Sequence, residues 1–215
     1  MTEDPRPLVA VLDYGIGNLR SAQKALEHVG ADARLSADAG LIADADAVVL
    51  PGVGAFGACM AALARSGLDD LAVAAALDER PFFGICVGMQ MLFDASDESP
   101  GVAGLGVLSG TLHRLPDTVK RPQMQWNVLD VRRPSTMFAA LDDPVWVYFV
   151  HSYAAPADAD GVVATCDYGG PVAAAIETDR LWATQFHPEK SGGTGLELLR
   201  GFVERAGART RAEVG

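Results

Sequence analysis

Cysteine is scarce in this chain of 215 residues: three only, Cys59, Cys86 and Cys166, an odd number at wide spacing. That excludes a disulfide framework and a cysteine-rich metal knuckle, and it points to a reducing compartment, the cytoplasm. Basic residues are in the minority, 17 Lys and Arg against 28 Asp and Glu, which leaves a net charge of −11. The charges are scattered, so the chain lacks the basic patch that nucleic acid or an anionic membrane surface requires. No apolar run approaches the ~20 residues of a membrane-spanning helix. Residues 1–7 are acidic and proline-bearing, with no apolar centre for a signal peptide. Internal repeats, linkers and low-complexity tracts are absent, and residues 37–47, where Ala and Asp alternate, read as loop.

Apolar residues, by contrast, make up 49% of the chain. That is enough for a well-filled core, and the length suits one domain, residues 1–215, better than two. Short β-branched runs at 8–12, 47–50 and 82–85 read as buried strands. Between them, residues 18–29 carry apolar side chains at helical spacing, closed by Gly30, and the alanine-rich stretch 56–77 reads as two helices broken near Ser66-Gly67. A helix is expected to start over 87–93. This alternation predicts an α/β fold with a parallel sheet covered on both faces. After Gly101 the texture changes. Residues 110–115, 126–131, 146–150, 162–166, 172–176 and 181–184 are strand-like and separated by Pro, Gly and Asp clusters, so antiparallel additions to the sheet are expected. A last helix is expected at 195–206, with a frayed charged tail beyond it.

Three segments carry chemistry. Gly84-Ile85-Cys86-Val87-Gly88 falls where a strand turns into a helix, the setting of a nucleophile elbow. Glycines on either side relieve clashes in the strained turn. The following helix aims N–H groups and its positive dipole end at the sulfur, which favours the thiolate, and the Val87 N–H becomes available to an oxyanion. Cys59 and Cys166 lack this setting and read as core or strand residues. Near the C-terminus, His187-Pro188-Glu189 leaves a strand in extended geometry. Residues two apart share a face, so Glu189 can orient one imidazole nitrogen while the other meets a nucleophile. Two glycine-rich turns follow predicted strands. Pro51-Gly52-Val53-Gly54 could supply a second oxyanion donor or be a plain tight turn. Asp13-Tyr14-Gly15-Ile16-Gly17-Asn18 opens like a dinucleotide fingerprint, but Arg20 stands at the third glycine position, so NAD binding has no support.

Taken together, these motifs resemble one family. Gly84-Ile85-Cys86-Val87-Gly88-Met89-Gln90 and Phe186-His187-Pro188-Glu189 are similar to the class I glutamine amidotransferases. Four more segments resemble, within that family, the glutaminase subunits of imidazole glycerol phosphate synthase. They are Asp13-Tyr14-Gly15-Ile16-Gly17-Asn18-Leu19, Pro51-Gly52-Val53-Gly54-Ala55-Phe56, Tyr148-Phe149-Val150-His151-Ser152-Tyr153, and Lys190-Ser191. The likeness runs from about Leu8 to Phe202, with the motifs in order.

The resemblance implies a three-layer, flavodoxin-like α/β fold with a mixed, mainly parallel sheet. It implies that Cys86 attacks the glutamine side-chain amide, that His187 shuttles the proton to leaving ammonia, and that Glu189 orients His187. The oxyanion would be held by the N–H of Val87 and one near Gly52 and Val53. Gln90, Glu98, Ser152 and Tyr153 would bind glutamine. The ammonia would pass to a (β/α)₈ cyclase subunit, in a heterodimer that makes imidazole glycerol phosphate and an aminoimidazole carboxamide ribonucleotide for histidine and purine-precursor biosynthesis. Asn18, Trp126, Tyr148 and Lys190 would lie at that interface. No cofactor and no metal is implied. The sequence departs from the family at Gln123-Met124-Gln125-Trp126-Asn127, where Met-Gly-Trp-Asn preceded by histidine is usual; the change is expected to touch interface geometry rather than chemistry. Rival readings are a glutaminase serving anthranilate, aminobenzoate or guanylate synthesis, and a non-catalytic stress-type α/β protein with a redox-active elbow cysteine. The latter has no use for His-Pro-Glu.

Overall fold

The computed structural model describes the backbone of residues 6–214 and the side chains of residues 6–208. Most of the acidic 1–7 stretch lies outside the described residues. In chain order the elements are β1 (Leu8–Leu12), α1 (Leu19–His28), β2 (Asp32–Ser36), α2 (Ala39–Asp44), β3 (Ala47–Gly52), α3 (Phe56–Ser66), α4 (Asp69–Leu77), β4 (Phe82–Cys86), α5 (Val87–Met91), β5 (Phe93–Ser96) and β6 (Leu108–Arg114). They continue with β7 (Gln123–Val128), β8 (Asp130–Val131), β9 (Trp146–His151), β10 (Tyr153–Ala154), β11 (Val162–Asp167), β12 (Pro171–Glu177), β13 (Leu181–Thr184), a 3₁₀ turn (Pro188–Lys190) and α6 (Gly192–Val214).

Eight strands form the central sheet in the order β2-β1-β3-β4-β13-β12-β11-β8. The first five are mutually parallel and the last three antiparallel, as the change of texture after Gly101 predicts. β3 and β4 are buried along their whole length, which is why they read as continuous apolar runs. Helix α1 packs on α6, while α3 packs on α4 and α5, giving two helical layers. Under one of them Phe83, Trp182 and Phe202 form a ring cluster with centroids 5.2 to 6.1 Å apart. α3 ends at Gly67, whose φ of 68° lies in the left-handed region, so the expected break near Ser66-Gly67 is present. No helix among the described residues is long and apolar enough to cross a membrane.

Several expectations need correction. The Ala/Asp stretch is not loop: Asp38 caps a helical turn, its Oδ1 accepting from Leu41 N at 2.8 Å, and α2 follows. Short strands β2 and β5 carry too few apolar residues to signal themselves. The run expected over 126–131 breaks at the buried Leu129 into β7 and β8, which belong to different sheets. α5 stops at Met91, because the Leu92 carbonyl instead accepts from Val107 and Leu108. The last helix starts at Gly192, ahead of the expected start, and its backbone is helical to Val214, past the expected end at 206.

Two features of the sheet place a site. Strand order reverses between β1 and β3, and loops at the carboxyl ends of strands on either side of such a reversal form a crevice. Those loops are the two glycine-rich turns. In addition β13, about a hundred residues downstream, inserts beside β4 with Thr184 opposite Ile85, while Gly52 on β3 lies opposite Cys86. The segments following β3, β4 and β13 therefore emerge side by side.

Candidate active site

Cys86 ends β4 with φ 55° and ψ −111°, the one non-glycine residue of positive φ among the described residues. Such a conformation costs on the order of 1–3 kcal/mol and persists only when its surroundings impose it. The surroundings are the flanking glycines. A Cβ on Gly88 would sit 1.8 Å from the Leu50 carbonyl oxygen, and one on Gly84 would sit 3.1 Å from the Met89 backbone. α5 thus returns across β3 and β4 at a separation that only glycine permits, and the turn drives the Cys86 side chain off the end of the sheet.

Beyond β13 the chain runs Gln185-Phe186-His187. The His187 N–H donates to the Tyr148 carbonyl at 3.0 Å. The buried Ser191 hydroxyl donates to the His187 carbonyl at 2.7 Å and accepts from Tyr148 N at 3.0 Å, fastening the turn to β9. His187 Nδ1 and Glu189 Oε1 are 2.8 Å apart, with side chains only 1% and 4% exposed. Nε2, the other ring nitrogen, is buried with no partner in strict hydrogen-bond geometry, and the Cys86 sulfur acts on the imidazole both as a hydrogen-bonding neighbour and as a charge. Burial opposes the imidazolium, but the Cys86 sulfur and the Glu189 carboxylate outweigh it and raise His187 to about 10. His151, by contrast, is lowered to about 4, because burial outweighs its hydrogen bond with the Tyr153 carbonyl. It stays neutral near pH 7 and does not compete as the charged partner.

The Pro51-Gly52-Val53-Gly54 turn is held from below. Tyr14 OH donates to the Pro51 carbonyl at 2.7 Å, and the Cys59 thiol donates to the Val53 carbonyl at 3.4 Å. Burial raises both groups, so both keep their protons as donors. Gly52 is required here because its Cβ would meet Gly88 N at 2.8 Å and Val87 Cβ at 2.9 Å. Tyr14→Phe leaves the buried Pro51 oxygen unpaired and is expected to destabilise the protein by about 1–2 kcal/mol in urea unfolding. An unchanged midpoint would mean that this bond contributes nothing to the turn.

These segments enclose a cleft of about 360 Å³. Cys86, Val87 and His187 line it together with Val53, Gln90, Glu98, Ser152 and Tyr153, and Asn18 and Lys190 reach it as well. Glu98 is fixed by accepting from Phe56 N at 2.7 Å, at the start of α3. The buried Gln90 donates through Nε2 to the Tyr153 carbonyl and to Gln185 Oε1, each at 2.9 Å.

A family model described as glutamine amidotransferase class-I matches residues 10–206. The chain belongs to the class-I glutamine amidotransferases. Among curated proteins it is 49% identical, over 92% of its own length and 98% of the other's, to the imidazole glycerol phosphate synthase subunit HisH of Methanothermobacter thermautotrophicus. It is 48% identical to the protein of the same name from Acinetobacter baylyi, over 91% and 97% of the two chains. Among solved structures, PurLQS from Thermotoga maritima superposes with a TM-score of 0.71 at 20% identity, covering 93% of this chain and 99% of that one, a likeness of fold.

In this amidotransferase, ten of the residues singled out in the sequence line the cleft. The other four lie outside its lining. Gly52 is packed beneath it against Val87 and Gly88, and Glu189 stands behind His187. Trp126 and Tyr148 pair across the β7–β9 ribbon, centroids 6.1 Å apart, with Trp126 47% exposed. The departures from the family pattern separate: Gln125 is on the open face, but Gln123 is fully buried, its amide between His151 Nε2 (3.0 Å) and Cys166 Sγ (3.8 Å). Gln123 therefore belongs to the interior rather than to an interface. Sequence reasoning missed Tyr14 and Gln185 as site residues. The available signal for Gln185 was a weak one: with Thr184 it forms an uncharged polar pair between the apolar Ala183 and Phe186 on the way to His187.

Proposed function

We propose that this amidotransferase is the glutaminase subunit of an imidazole glycerol phosphate synthase, hydrolysing glutamine for a cyclase partner. The observation that carries the chemistry is the convergence of Cys86 and His187 in one cleft from strands far apart in the chain, with Glu189 behind His187 on its other ring nitrogen. The specific pathway is supported by relatives of that name at 48–49% identity over nearly the whole chain. In this reading the Cys86 sulfur attacks the amide carbon, and the oxyanion accepts from the Val87 N–H and from an N–H at Gly52–Val53. Imidazolium His187 gives its proton to the departing nitrogen, and ammonia leaves. Neutral His187 then takes a proton from water, which attacks the thioester and releases glutamate. Glu189 holds Nδ1 and stabilises the imidazolium. Gln90 and Glu98 offer acceptors for the glutamine ammonium group, and Ser152 and Tyr153 flank it. Net atoms are glutamine plus water to glutamate plus ammonia; no cofactor enters.

The cyclase, a (β/α)₈ barrel in a heterodimer with this chain, docks over the face that carries Asn18, Trp126, Tyr148 and Lys190. An exposed tryptophan edged by a tyrosine is the kind of anchor that dominates interfaces. Trp126→Ala is expected to weaken binding to the cyclase by about 2 kcal/mol, some 30-fold, with little change in thermal stability. Titration calorimetry checks it, and equal affinity would remove Trp126 from the interface. The function as a whole is tested by mixing the protein with imidazole glycerol phosphate cyclase, anthranilate, aminobenzoate and guanylate synthase subunits and following glutamate release. Stimulation by the first alone is expected, and stimulation by another would reassign the pathway.

The raised His187 gives a pH prediction. A histidine whose folded value lies near 10 rather than 6.5 contributes its full stability below about pH 6.5 and loses it as pH rises through about 10. Glutaminase activity should accordingly fall on the alkaline side toward pH 10. In Glu189→Gln, which removes one of the raising charges, that limb should move toward neutral pH and the rate should fall by about 10²-fold or more. An alkaline limb unmoved in the variant would separate Glu189 from His187.

A further inference from the structure

The Cys86 sulfur has a third neighbour besides His187 and the Val150 carbonyl. The side-chain amide of Gln185, fully buried, lies 3.8 Å from it. An amide offers either a donor or an acceptor, and which one faces the sulfur decides what it does. The surrounding bonds settle the question. The Tyr153 carbonyl can only accept, so the Gln90 atom 2.9 Å from it is the NH₂ group. That same nitrogen lies 2.9 Å from the Gln185 amide, so the Gln185 atom there is the oxygen. The remaining end of Gln185, its NH₂, is then the group that faces Cys86.

We propose that Gln185 is the side-chain donor that holds the Cys86 sulfur as a thiolate, with its orientation dictated by Gln90 from the Tyr153 carbonyl. An N–H aimed at an anionic sulfur favours the anion over the thiol. The inference deepens the glutaminase reading and rests on it only for the use to which the thiolate is put. The relay also joins the sulfur to Tyr153, at the strand that flanks the proposed glutamine site, so its donor is set by the wall against which substrate packs. The titratable groups that act on the sulfur include His187 with Glu189 behind it, Tyr14 from the loop after β1, and Cys59 from α3, and Glu98, His151 and Lys190 line the same cleft. Burial keeps Tyr14 and Cys59 neutral. His187 supports the thiolate by charge, and Gln185 adds an uncharged donor at 3.8 Å.

The test reads the thiol directly, without glutamine, so that its outcome is independent of the assigned pathway. Alkylation of Cys86 by iodoacetamide is followed against pH for the full chain, for Gln185→Met, which keeps the volume but loses the donor, and for Gln185→Glu. Cys59 and Cys166 are replaced by Ser and Ala in all three proteins. In Gln185→Met the rate near neutral pH should fall about five- to tenfold, and the profile should move toward alkaline pH. Gln185→Glu should fall further, since its carboxylate repels the anion. A purely packing role would leave the pH profile in place, and an unmoved profile in Gln185→Met overturns the proposal. If the variants fail to fold, the unaltered protein still decides: by nuclear magnetic resonance, the assigned Gln185 side-chain amide protons should shift on alkylation of Cys86, and amide protons that do not respond overturn it.

Discussion

Cys86→Gly is expected to end glutamine hydrolysis and, at the same time, to give a more stable protein than Cys86→Ala. The first effect follows from the proposed mechanism, in which the Cys86 sulfur is the atom that forms the thioester. Removal of a covalent nucleophile lowers turnover by about 10⁴-fold or more, and among the described residues no other thiol lines the cleft. The second follows from the backbone. At φ 55° and ψ −111° any residue with a Cβ is strained, by on the order of 1–3 kcal/mol. Alanine keeps that strain, whereas glycine relieves it at a cost of roughly 0.5–1 kcal/mol in unfolded-chain entropy. A net gain of about 1 kcal/mol for glycine over alanine should appear in denaturant midpoints, while both variants stay inactive in coupled glutamate assays. Residual turnover in either variant would remove Cys86 from the chemistry. Equal stability would show that the elbow is not strained. The strain has a functional reading: folding energy is stored at the residue that must project from the sheet.

Gly88→Ala is the companion experiment, with the opposite sign. The added methyl would stand 1.8 Å from the Leu50 oxygen and 2.8 Å from its carbon. Neither atom can yield, since Leu50 lies in the fully buried β3, which pairs with β4 on one side and β1 on the other. α5 must therefore lift away from the sheet. A loss of about 3 kcal/mol or more is expected, together with loss of activity as Cys86 and Val87 move with the helix. Gly193→Ala is the control. That position is also in a helix, but a Cβ there meets nothing within 4 Å, so the change should be neutral or stabilise by up to about 1 kcal/mol. Differential scanning calorimetry of the pair separates crowding at the elbow from any general intolerance of alanine for glycine. Similar melting temperatures for the two variants would contradict the close approach of α5 to β3.

Which elements could be read along the chain follows a physical pattern. Elements buried on both faces, such as β3 and β4, were legible because hydrophobicity alone defines them. β2 (Asp32–Ser36) was not, since only Ala33 and Ser36 are buried in it and pairing to β1 does the rest. α2 was hidden because its signal is one capping carboxylate, Asp38, rather than an apolar face. In the cleft, Cys86 and His187 could be found because each occupies a turn whose local stereochemistry is written in neighbouring glycines or proline. Tyr14 and Gln185 carry no such local mark. Their roles exist only through partners 37 and 95 residues away in the chain.

The sequence by itself determined the elbow, the extended His187 ahead of its proline and the strand–helix alternation, because each depends on backbone preferences and apolar spacing within a few residues; the Pro188–Lys190 segment that carries Glu189 is a 3₁₀ turn and not the extended chain expected. Tertiary structure alone decided that β13 enters beside β4 and so carries the imidazole to the sulfur. It also placed Gln123 in the interior rather than on the open face, and turned the Gln185 amide toward Cys86. Those outcomes depend on which strands pair and on how buried polar groups satisfy one another, and such long-range constraints leave no periodic trace along the chain.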